Sequence, residues 1–303
     1  MIIKPGKGIR FSKVACLGLG FGVVGAASFF SPAASLGQGG PEESWKEVGA
    51  DHFIIYYTGD EQFPKEVAAK AETYYSRIAT DLGYPRYSEF WTWDNRVKIY
   101  IYPDHESFLK ATLQPVWSQG MADYYNKRIV SFAWSKGFVE SLLPHEMAHL
   151  IFRDFVGFRG EIPRWLDEGV AQWEEEDKRR IIKVAARDCY EKDGLLSITD
   201  MMKLDITRVG EMDRIYIRSS RTKSGEQGEL FLSAENLVST YYLQSASLVG
   251  FLIEQYGSYS FADFCRGLRE GKALEEALRL AYPAKIKDLE ELEKYWREYL
   301  EQS

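Results

Sequence analysis

Residues 142–154 read "LLPHEMAHLIFRD". His145 and His149 are two of only 4 histidines in the 303-residue chain, and Glu146 directly follows the first. Leu143, Met147, Leu150 and Ile151 recur at helical spacing, so a helix is expected from about Ser141 to Phe155, stopped by Gly157. Pro144 fits its first turn, where backbone N–H groups lack partners in any case. On such a helix, residues four apart differ by about 40° in azimuth and about 6 Å in height, so both imidazoles can reach one ion. Glu146 stands beside them, where its carboxylate can take a proton from a metal-activated water without being a ligand.

A tetrahedral zinc site that keeps a position for water needs one more protein ligand. Eighteen residues after His149, past Gly157, Gly160 and Pro163, comes Glu168 in "RWLDEGVAQW". The glycines and the proline let the chain turn back, and a second helix opening near Pro163 can then carry Glu168 to the histidine pair. That helix is expected to continue through "EEEDKRRIIKVAARDCYEK", its solvent face laced by Glu174–Lys178, Glu175–Arg179 and Glu176–Arg180 at i, i+4 spacing.

Upstream, "HFIIYYT" (52–58) and "RVKIYIYPD" (96–104) read as strands around an amphipathic helix from Pro64 to Leu82. Asp104 can cap a short helix through Thr112. "GMADYYNKRIVSFAW" (120–134) reads as a hairpin turning near Asn126-Lys127. Downstream, "RIYIR" and "ELFLS" suggest a second hairpin around a polar loop. Helical patterns follow over 237–257, 261–268, 273–281 and 286–300. The expected fold class is α+β: a mixed N-terminal sheet with helices, then a helical C-terminal half.

The first 35 residues differ from the rest. Lys4, Lys7, Arg10 and Lys13 precede an apolar, glycine-rich run from Val14 to Phe30, and Ala33 to Ser35 offer small residues for cleavage. This is the grammar of a signal peptide, with an uncleaved N-terminal membrane anchor as the alternative. Residues 36–44 form a Gly/Pro/Ser linker, and 45–303 the folded domain. Export to the periplasm or cell exterior is expected, with possible membrane association through the N-terminal segment. Without its leader the chain carries 34 basic against 45 acidic residues, a net charge near −11. That balance argues against nucleic acid as a partner. Cys189 and Cys265 remain, either as a disulfide or as two buried thiols.

"HEMAH", 18 residues, then Glu168 inside "WLDEGVAQW" resembles the gluzincin metallopeptidases, and the strand–helix–strand before the motif resembles the bacterial exported peptidase MA-like family. The resemblance implies a thermolysin-like (zincin) catalytic domain with Zn2+ on His145, His149 and Glu168, Glu146 as general base, and a peptide or protein as substrate. It also implies a downstream tyrosine that steadies the oxyanion; Tyr242 in "YLQS" matches best, with Tyr241 the neighbouring alternative. The aminopeptidase branch has a Gly-x-Met-Glu-Asn strand that "GMADYY" matches poorly. Gly120, Met121, Ala122 and Asp123 can still serve as an edge strand that holds an extended peptide, since strand addition needs only unpaired backbone groups.

Weaker signals remain. Metal-bound histidines donate their second N–H to a carboxylate or carbonyl. Glu175 could accept it, or pair with Arg179 in solvent. Asp167 points about 100° from Glu168 and reads as a capping or surface residue. His52 and His105 read as structural, while Trp165 and Trp173 are expected to pack the second helix on the first. With no histidine left over, a serine or cysteine nucleophile is not suggested. The expected function is an exported zinc peptidase. The alternative is an exported binding or assembly module with a structural or vestigial metal site.

Overall fold

The computed structural model describes residues 45–302, apart from 85–90, 93–94, 117, 135–136, 158–161, 210–213 and 284. The leader, the linker and Gly160 therefore lie outside the described residues. Within them the fold is α+β, as the sequence pattern indicates.

Five strands form one sheet: β1 (Lys46–Gly49), β2 (Phe53–Tyr57), β3 (Val97–Tyr102), β4 (Gly120–Asp123) and β5 (Arg128–Phe132), in the order β1-β2-β3-β5-β4. The inner pairs β2–β3 and β3–β5 are parallel, and the outer strands β1 and β4 run antiparallel to their neighbours. Parallel pairing requires a crossover. The helix α1 (Gln62–Asp81) supplies the first, and α2 (His105–Thr112) lies in the second. Asp104 caps α2, accepting the Ser107 N–H at 2.8 Å. β1 falls where the sequence shows no strand pattern, because an edge strand this short and exposed carries little hydrophobic signal.

On one sheet face Phe53, Ile55, Val97, Ile99, Ile101 and Ile129 join a core shared with α1 and with α3 (Leu143–Val156). A π-turn over Phe138–Leu142 leads into α3, and the Leu143 N–H reaches back five residues to the Phe138 carbonyl. The helical path thus starts earlier than expected, and the wide turn accommodates Pro144, which has no N–H to give. Gly157, at φ 75°, ends α3.

The expected long second helix is two helices. α4 (Arg164–Trp173) stops, the chain bends through Glu174 and Glu175, and α5 (Arg179–Glu191) begins after a short 3-10 turn. The reason lies in partners far away in sequence. Glu174 is fully buried against Arg179 (2.9 Å) and Arg77 of α1 (3.9 Å), and Arg77 also donates to the Glu174 carbonyl. Both Glu174 and Glu175 turn inward, so the expected solvent-facing ladder gives way to these contacts. Glu176 meets Arg77 rather than Arg180.

After α6 (Ile198–Lys203), β6 (Ile215–Arg221) and β7 (Gln227–Ser233) make the second hairpin. α7 (Ala234–Arg269) is bent at Gly257, whose φ of 83° breaks the helical path where the sequence places a stop. α8 (Leu274–Ala281) and α9 (Leu289–Gln302) complete the chain. α4 lies tight against α7: a Cβ on Gly169 would sit 2.5 Å from the Ser245 carbonyl oxygen, and one on Gly250 would sit 2.4 Å from the Trp173 ring. Trp173 packs on α7, within the core that α3 shares. Cys189 and Cys265 are separate buried thiols, not a disulfide.

Candidate metal centre

α3 and α4 bring His145, His149 and Glu168 together, each offering one ligand atom within 4.8 Å of the others. The three residues are 3%, 0% and 2% exposed. The two Nε2 atoms face each other at 3.2 Å, and Glu168 Oε2 lies 3.8 Å from His149 Nε2. These separations match the edges of a small coordination polyhedron.

Proton counting gives the site its sign. His145 Nδ1 lies 3.1 Å from Glu175 Oε1, and His149 Nδ1 lies 3.1 Å from Asp167 Oδ1. Each carboxylate accepts an N–H from the ring it faces, which fixes the tautomer and leaves both Nε2 atoms as lone pairs. Two lone pairs at 3.2 Å repel unless a cation or proton lies between them. Glu168 Oε2 is also buried without a hydrogen-bond partner. Two imidazole nitrogens and one carboxylate oxygen converging on one point are a donor set that suits Zn2+.

Glu146 is fully buried, and neither carboxylate oxygen has a hydrogen-bond partner. Burial pushes its pKa up, with the two histidines working the other way. Glu168 is raised for the same reason, again against the pull of His149 and His145. A carboxylate raised towards neutrality is the poise a proton carrier needs.

The carboxylates behind the rings behave differently. Burial alone would raise Asp167, but His149 and Arg153 hold it well below the usual range. Arg153 donates to Asp167 Oδ2 through Nε at 3.2 Å and Nη2 at 2.7 Å. Burial would likewise raise Glu175, yet His145 and Lys178 keep it low, and Ser141 also donates to it. His149 is raised to about 9, since Asp167, Glu168 and Glu146 outweigh the opposing effect of burial.

Glu175 thus takes the histidine-orienting place, not the solvent pair with Arg179, and it does so from beyond the end of α4. Asp167 is neither the capping nor the surface residue that its position suggests: it is buried behind His149. The two nitrogens of an imidazole diverge, so neighbouring residues that diverge by about 100° can straddle one ring, Asp167 at Nδ1 and Glu168 at Nε2. Two consecutive carboxylates at the start of α4 were the available signal. Arg153 and Ser141 left none.

Tyr241 and Tyr242, on α7, both have their phenol pKa raised, first by burial and then by the charge of Glu168. Tyr241 is 1% exposed, whereas Tyr242 is half-buried and keeps an accessible edge. β4, Gly120 to Asp123, is the outermost strand next to the π-turn: a Cβ on Gly120 would sit 2.5 Å from Leu142 Cδ2. Met121 and Ala122 are half-buried along it. Asp123 is engaged by Asn126 (2.8 Å) and Arg128 (2.5 Å), so its carboxylate is taken up inside the hairpin. His52 pairs with Glu72, and His105 with the Ser118 carbonyl, both away from the centre. No protein-family model matches the sequence, and neither does any curated protein.

Proposed function

We propose that the protein is an exported zinc-dependent peptidase. The observation that supports it most directly is the pair of Nε2 atoms facing each other at 3.2 Å beside a buried carboxylate, Glu146, whose two oxygens have no hydrogen-bond partner. A zinc ion held by His145, His149 and Glu168 would supply Lewis acidity, polarising a scissile carbonyl and bringing the pKa of a water towards ~7.

The remaining work falls to the chain. Glu146 takes the proton of the attacking water and passes it to the leaving amine. Asp167 and Glu175 keep the Nδ1 protons in place, so that both rings present Nε2. Tyr242 donates its phenol hydrogen to the oxygen on which negative charge develops. The edge of β4 aligns an extended peptide.

The test is zinc analysis and peptide hydrolysis by the Glu146→Gln variant. The expected result is full zinc content and a rate lower by about 10²–10⁴. Parent-rate hydrolysis by a zinc-loaded variant would overturn the assignment. The depth of burial of the centre supports a second reading, a binding or assembly module with structural zinc. Zinc retention without cleavage of any member of a broad peptide library would favour that module.

A further inference from the structure

Both faces of the central sheet carry apolar side chains, although Glu47 and the row Lys98, Arg128 and Asp123 also lie on the second. One is roofed by α1 and α3. The other carries Ile54, Tyr56, Tyr100, Tyr102, Val130 and Phe132. A sheet face meant for water alternates to polar residues. Here Tyr56 stacks on Tyr100 at 4.9 Å, and Trp45 sets its ring edge-on to Tyr100 (5.7 Å) and Tyr102 (5.2 Å). Phe108 of α2 covers the Tyr102–Val130 end, while Trp45, Ile54, Tyr56 and Tyr100 stay half-exposed.

The loop after α2 extends this surface. Leu113 is 83% exposed and Val116 is 79% exposed, the highest values of any large hydrophobic residue among the described residues. The loop is fastened rather than loose. The Leu113 N–H donates to Leu109 O at 2.9 Å, and the Ser118 N–H to Pro115 O at 2.8 Å. Gln114 Nε2 lies 3.6 Å from Met121 Sδ on β4. Leu113 itself sits at φ 54°, the left-handed region, so the turn holds its side chain out. Water gives no reason to hold two such side chains in it.

Three features name the partner. Half-exposed tryptophan and tyrosine, with Lys98 on the same face and Glu47 at its edge, form an amphipathic surface of the kind that settles at a lipid–water boundary. The chain enters the domain on this face, through Trp45. In the sequence, 14 residues separate Trp45 from the end of the apolar run at Phe30, a reach of at most about 50 Å. We propose that this face lies on a lipid bilayer, with Leu113 and Val116 as the tips that enter it.

The proposal does not depend on the peptidase reading. The test is fluorescence quenching in the full chain, with Cys16→Ser to remove the one thiol outside the described residues. A bimane label is placed at Leu113→Cys or Val116→Cys, and, for comparison, at the exposed positions Val184→Cys or Tyr259→Cys. The chain is reconstituted with phosphatidylcholine vesicles carrying brominated acyl chains. The expected result is strong quenching at 113 and 116, weak quenching at 184 and 259, and loss of quenching at 116 when Leu113→Asp is added. Equal quenching at the four positions, or more at 184 or 259, overturns the proposal. Zinc content and far-UV circular dichroism of each variant report whether its fold is kept.

Discussion

Glu174 and Glu175 are neighbours at one bend, both buried, yet their surroundings push them in opposite directions. Burial dominates at Glu174, and with a smaller push from Asp81 it raises the pKa to about 8 despite Arg179 and Arg77. Glu175 is held below 4.5 by His145 and Lys178. Glu174 faces α1 and braces the bend; Glu175 faces α3 and orients the His145 ring. Burial alone does not decide the charge of a carboxylate. The number and nearness of its donors do.

The largest effect expected on this comparison comes from the centre that Glu175 serves. Glu168→Ala should remove stoichiometric zinc binding, measured by metal analysis after dialysis, with the helices retained by circular dichroism. Retained zinc would place the third ligand elsewhere. Next come the orienting residues. Glu175→Gln and Asp167→Asn should each weaken zinc binding by about 10–100-fold in chelator competition. The matched variant Glu174→Gln should leave zinc affinity unchanged, and a loss there comparable to that of Glu175→Gln would erase the distinction between the two networks.

Proton competition gives a further measurement. In the metal-free protein His149 holds a proton up to a pH of about 9, and zinc must displace it. Apparent zinc affinity should therefore rise with pH between 6 and 9 and level off above. A flat profile would show that this proton is not in the way.

The smallest effect is on stability. A carboxyl group whose folded pKa is raised contributes stability below its unfolded value, near 4.5, and loses it as pH climbs to about 8. A lowered one, such as Glu175, contributes above 4.5 and loses it on acidification. Glu174→Gln should thus raise the melting temperature by a few degrees at pH 8 relative to pH 5, and Glu175→Gln should show no such gain. Equal slopes in calorimetry would mean that the two groups share one environment.

Much of this architecture was legible in the sequence because it is local. Strand alternation, the cap at Asp104, the stops at Gly157 and Gly257 and the spacing of His145, His149 and Glu168 all depend on near neighbours. What was misread depends on distant ones. The acidic run 174–176 looks like the wet side of a helix until Arg77, 97 residues earlier, is brought against it. Asp167 looks superficial until Arg153 and His149 close around it. Neither periodicity nor propensity carries that information.

Gly120 works as a gauge block between two parts. With a hydrogen atom in place of a side chain, the outer strand rests directly on Leu142, one residue before the helix that presents both imidazoles. The clearance between the strand and the helix of His145 and His149 is thereby set by a contact and not by a loop, and one extra methyl there would have to push the Leu142 side chain aside.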